Sequence, residues 1–234
     1  MDAETLALLP LWYAAFLLSL TCHEAGHAVV ARWGGDDTAY RSGQVSLNPW
    51  PHIVREPLGM IVVPLISYFA GSQHWMMGWA SAPYDPRWEE RHPHRAALMA
   101  AAGPAANFIL FALAFAILAL GLRAGIWTPA QDGRALDRLV TVAAGGAGVA
   151  DALGRFLSVV MCLNLILGVF NLMPFPPLDG ASVLAGIAPP IRALYQKMRA
   201  VPAIGIVGLL LAWRVSPFVF WPVVLLAVRA LLNG

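Results

Sequence analysis

Residues 6–30 read LALLPLWYAAFLLSLTCHEAGHAVV, an apolar run broken near its end by His23, Glu24 and His27. About 20 helical residues cross a hydrocarbon core, so the run predicts a membrane span. Charged and imidazole groups are costly at that depth, and ionisable residues clustered there mark a functional site. Residues four apart on a helix stand on one face, roughly 6 Å apart along the axis. Two imidazoles so placed can share one zinc ion. The glutamate next to the first histidine can take a proton from water beside that ion without ligating it. His23 and His27 are therefore candidate metal ligands and Glu24 a candidate general base.

Composition points to the same class of molecule. Of 234 residues, 59% are hydrophobic and 12% charged, about half the charge of an ordinary soluble domain. The formal net charge of +2 gives no reason to expect nucleic acid as a partner. Cys22 and Cys162 both fall in apolar segments and read as buried thiols, since two cysteines make no disulfide framework. The flank before Leu6 holds Asp2 and Glu4 and no basic residue, so the first run is not read as a cleaved signal peptide.

Further apolar runs cover Pro57–Trp79, Ala96–Leu122, Leu157–Met173, Val201–Trp213 and Phe218–Leu232. The expected fold is all-α, a polytopic transmembrane helix bundle of about six spans. It forms a single domain over 1–234, with a core over about 6–182 and C-terminal helices over 200–232. His74, Trp75 and Trp79 read as a water interface, and Pro64 as a kink. The element AAAGPAAN at 100–107 offers small residues for close helix contact and, in Asn107, a hydrogen bond to a neighbour.

Asn171 to Gly180 reads NLMPFPPLDG. Three prolines in four positions exclude a regular helix, and such backbone is tolerated near membrane depth where it is buried in protein or lines a wet cavity. Asp179 can supply the third protein ligand that two histidines lack, leaving a fourth position open. Without His23 and His27, the same residues read in preference as a surface turn with a solvated aspartate.

Taken together, the two segments resemble the site-2 protease family of intramembrane zinc metalloproteases. That family pairs a transmembrane His-Glu-x-x-His with a distant Asn-Leu-x-Pro and Pro-x-Asp-Gly segment. The stretch Gly43–Pro49 with His52 and Pro57–Gly59 is similar to a loop of its small prokaryotic branch, which lacks PDZ and CBS domains. So are Gly78–Ala80 with Pro83, and the element Ala102–Asn107. The likeness covers roughly residues 10–182. It implies one zinc ion per chain on His23, His27 and Asp179, with Glu24 as base. It also implies a place for Asn171 at the active site, donating to a substrate carbonyl or developing oxyanion; the residue reads equally as a polar contact between helices. Ala181 stands where many members carry a second glycine.

The resemblance implies a zinc-dependent endopeptidase that cuts transmembrane segments of membrane-anchored proteins, embedded as a multi-pass protein in a prokaryotic cell membrane. A non-hydrolytic zinc-binding scaffold or metal carrier is the alternative. A membrane metalloprotease with a glutamate as third ligand is disfavoured, because Glu56, Glu89 and Glu90 fall in expected loops. Gln44–Leu47 reads as loop in preference to a substrate-pairing edge, His52 as a structural hydrogen bond, and His92 and His94 as part of a solvated loop over Arg87–Arg95. Arginines occur in every loop, so charge alone does not orient the chain. The acidic N-terminus suggests an outside position, which turns the metal motif toward the cytoplasm. Oligomeric state is not legible.

Overall fold

The computed structural model describes residues 3–70, 75–130, 136–143, 148–199 and 201–233. In chain order the helices are α1 (Ala3–Trp33), α2 (Thr38–Arg41), α3 (Trp50–Arg55), α4 (Val63–Ala70, entered through a π turn over Leu58–Val62), α5 (Pro86–Arg91) and α6 (Pro93–Arg123). A two-stranded antiparallel ribbon, β1 (Trp127–Pro129) and β2 (Val140–Val142), follows. Then come α7 (Val149–Asn171), α8 (Asp179–Ile187), α9 (Pro189–Arg199) and α10 (Pro202–Asn233). The described residues contain four helices long and apolar enough to cross a membrane, namely α1, α6, α7 and α10. The molecule is an all-α integral membrane protein.

The core forms where α1, α6 and α7 meet, around Trp12, Phe16, Leu118, Met161 and Leu163. A Cβ on Gly26 would lie 2.8 Å from Ala102 O. Glycine at 26 thus lets α1 lie nearly backbone to backbone on α6, as small residues permit in membranes. At the far end of α6 the ribbon inserts Trp127, buried against Gly121 and Gly154, with its indole N–H donating to Ala150 O at 2.9 Å.

The expected span over Pro57–Trp79 is not among these four, its described apolar helix being the shorter Leu58–Ala70. Helix α1 stops where Gly35 takes φ +95°, with Asp36 N–H on Ala31 O and Gly35 N–H on Arg32 O, a paired closure that glycine allows. The next segment runs antiparallel to α1, since Tyr13 Oη donates to Met60 O at 3.1 Å and Tyr68 Oη to Thr5 O at 2.7 Å. It then turns back. Trp75 packs on Trp12 at 5.8 Å between ring centroids, and Trp79 N–H donates to Gly59 O. Side chains at 59 and 78 would strike the opposing backbone, so the two glycines let the arms touch. Both ends meet where they began, because Asp36 accepts from Thr38 N and, at 2.8 Å, from Asp85 N. Hydropathy cannot tell such a re-entrant excursion from a crossing. Trp75 packs against the core, and His74 lies outside the described residues.

The two expected C-terminal spans are one helix, α10. Pro217 cannot donate to the carbonyl four residues back, Trp213 O, and Ser216 Oγ donates to that oxygen instead at 2.8 Å. A hydroxyl replacing a missing N–H lets a helix pass through proline at membrane depth. Where six spans are expected, the described residues therefore hold four helices long enough to cross and one shorter apolar helix. Arg87–Arg95 is helical, not a loop, because Pro86 and Pro93 each open a helix, α5 and α6, a position that suits proline. Cys162 is buried as expected, whereas Cys22 is half-buried.

Candidate metal centre

Helix α1 sets His23 and His27 one turn apart, both buried, with ring centroids 4.7 Å apart and Nε2 atoms 3.0 Å apart. Asp179, the first residue of α8, brings Oδ2 to 3.1 Å from His23 Nε2 and Oδ1 to 3.4 Å from His27 Nε2. The two distant segments thus converge. Glu24 is buried beside them, and its carboxylate and the two imidazoles present atoms mutually within 4.8 Å. A carboxylate at that remove can share one water with the site.

Hydrogen bonds on the outer ring atoms set what the inner ones can do. His27 Nδ1 meets Met99 O at 2.7 Å, and His23 Nδ1 meets Asn107 Oδ1 at 2.6 Å. Those oxygens only accept, so both Nδ1 atoms carry the protons. In the neutral rings, both Nε2 lone pairs then face each other and a carboxylate. Three acceptors converge without a hydrogen to share, and Asp179 Oδ2 is buried without a hydrogen-bond donor. A proton or a metal ion between them would relieve this convergence. Two imidazoles and one carboxylate form a ligand set of catalytic zinc, with outer nitrogens braced by oxygens as metal-bound histidines require.

Gly103 supplies the space. A Cβ there would fall 2.6 Å from His23 Nε2 and closer still to His27 Nε2. The volume that a methyl group would fill is the volume a zinc ion needs, at about 2.0–2.1 Å from nitrogen. The residues present fit the metal.

The proline-rich segment that delivers Asp179 is fixed from outside the expected core. Tyr195 Oη on α9 donates to Pro174 O at 2.7 Å, and Met173 and Leu178 pack with Ala212 of α10. Gly208 of α10 lies against Pro176 O, and Gly180 against the Leu172–Met173 backbone. Asn171, at the end of α7, is half-buried, and its Nδ2 donates to Leu167 O at 3.0 Å, back into its own helix. Of the other expected features, Gln44–Leu47 forms no strand, and His52 is buried with Nε2 facing Ser46 O at 3.2 Å.

Sequence reasoning missed the supports on α6. Met99 acts through its main chain, which no side-chain pattern announces. Gly103 and Asn107 fall within the small-residue element already noted, but their facing the histidines depends on the register of α6 against α1.

Comparison with known proteins agrees with this chemistry. The chain is 33% identical to YwhC of Bacillus subtilis, assigned as a zinc metalloprotease, over 93% of this chain and 87% of that protein. It is 30% identical to Rip2 of Mycolicibacterium smegmatis, assigned likewise, over 73% of this chain and 54% of that protein. No solved structure gives a significant match. The sequence profile of Peptidase family M50 covers residues 12–214. The chain therefore belongs to Peptidase family M50, the site-2 protease family, and is a zinc metalloendopeptidase.

Proposed function

We propose that the protein hydrolyses peptide bonds in or near transmembrane segments of membrane-anchored proteins, with His23, His27 and Asp179 holding the zinc ion. The convergence of Asp179 on both imidazoles carries this reading. Zinc, when bound, supplies a Lewis acid that polarises a carbonyl and acidifies water toward a pKa of ~7. Glu24 accepts the proton of the attacking water at its carboxylate and returns it to the leaving amine. Asn171 turns from Leu167 O to donate to the substrate carbonyl. A helical substrate must unwind first, since its carbonyls are otherwise engaged.

The fold supports access from one side. A cleft of about 430 Å³ opens between α5, the start of α6, α8 and α9, lined by Glu89, Glu90, Ser182 and Arg192 among others. It shares α8 with Asp179, which favours this end for the entry of water. With four crossings, Arg32, Arg41, Arg55, Arg87, Arg91, Arg95, Arg192, Lys197 and Arg199 fall at this end. Among the described residues they outnumber Arg123, Arg138, Arg155 and Arg229 at the other. Positive residues gather on the cytoplasmic side, so the metal faces the cytoplasm.

Metal analysis of the detergent-purified protein tests the ligand set. The parent is expected to carry about one zinc per chain and Asp179→Ala to lose most of it, since binding energy is shared among three ligands. Zinc unaffected by the substitution would overturn Asp179 as a ligand.

A further inference from the structure

We propose that Asn164 and Ser19, neither of which touches the metal centre, are positioning residues that set which nitrogen of His23 is free to bind metal. The inference rests on His23 being a ligand and concerns what prepares it. The two histidines are braced differently. His27 is held by Met99 O, a main-chain carbonyl that cannot turn over. His23 is held by Asn107, whose amide presents oxygen in one orientation and NH₂ in the other. Were the NH₂ to face His23, Nδ1 would have to accept. The proton would then move to Nε2, where the metal belongs.

The direction of the amide is forced from outside, one bond at a time. Ser19 Oγ lies 2.6 Å from Ala15 O, which only accepts, so the hydroxyl hydrogen points there. Ser19 Oγ is then an acceptor toward Asn164 Nδ2 at 2.8 Å, and Val160 O accepts the second hydrogen of that nitrogen at 2.8 Å. Asn164 must therefore turn Oδ1 toward Asn107. That oxygen takes Asn107 Nδ2 at 2.8 Å, with Ser19 O at 3.3 Å from the same nitrogen. Asn107 is left with Oδ1 toward His23. The relay runs from two main-chain carbonyls, through side chains of α1, α7 and α6, to an imidazole; Ser19, Asn164 and Asn107 are 0% exposed and His23 is 4% exposed. With no water at hand, each reversed link would set like against like, at the cost of an unmet buried polar group.

Asn164→Leu removes the nearer of the two acceptors on the Asn107 amide nitrogen and leaves only Ser19 O at 3.3 Å, so the reversed orientation becomes populated. Zinc affinity, read by chelator competition in detergent, is expected to fall about tenfold, the lower range for lost outer-shell partners. The double variant Asn164→Leu with Asn107→Asp presents oxygen to His23 whichever way it turns, and is expected to regain most of that loss. A packing defect at 164 would not be repaired by an aspartate at 107. Independently of metal, ¹⁵N-histidine spectra of the zinc-free protein should show His23 protonated at Nδ1 in the parent and a tautomer mixture in Asn164→Leu. Ser19→Ala, the smallest change, should shift the same signal in the same direction. An unchanged tautomer in Asn164→Leu, or an affinity loss that Asn107→Asp does not repair, overturns the relay. A parent that binds no zinc yet shows the Nδ1 proton would instead overturn the metal reading and leave the relay standing.

Discussion

At the level of single residues, Gly103 and Glu24 separate holding the metal from using it. Gly103→Ala places a methyl group where the two Nε2 atoms converge, while alanine is the better helix former for α6. Zinc content is expected to fall from about one per chain to near zero, with helicity by circular dichroism unchanged. Glu24→Gln should keep its zinc and lose about 10²- to 10⁴-fold in turnover of a transmembrane peptide, the usual worth of a positioned proton acceptor. If both variants kept zinc, the space beside Gly103 would not be the metal's. The chemical groups were legible in the sequence because an imidazole or carboxylate in an apolar run has few other reasons to be there. The atoms that brace them were not. Asn107 reads as one more polar contact between helices until its 2.6 Å approach to His23 is seen, and a carbonyl such as Met99 O has no sequence signature.

At the level of elements, the sequence foretold α1, α6 and α7, whose apolar runs are long and end at glycine, proline or charge. It misjudged two stretches for one physical reason. Hydropathy reports what a segment can be buried in, not the path it takes. Arg214 to Pro217 looks like a break between spans, yet Ser216 closes the gap that Pro217 opens and α10 continues. Ser216→Ala leaves Trp213 O without its donor. The expected cost is about 1 kcal/mol, in the range for polar contacts within membranes, seen as easier unfolding of the purified protein in denaturing detergent. No change in unfolding would mean that the carbonyl finds another donor.

At the level of the whole molecule, whether the apolar stretch after α1 crosses decides which parts share a side. If the chain crosses four times, Arg41 and Arg91 lie on one face of the membrane. If Pro57–Trp79 crossed, they would lie on opposite faces. In a background without Cys22 and Cys162, Arg41→Cys and Arg91→Cys are expected to react with an impermeant maleimide from the same side, and modification from opposite sides would restore the missing span. A site that brings water deep into a bilayer is also a channel built halfway. What keeps it from being finished is the opposite end, where Trp127 fills the cleft between α6 and α7 against two glycines. With that indole seated, a path for water entering beside the metal centre is a blind one, and the membrane stays sealed at the end where the ribbon lies.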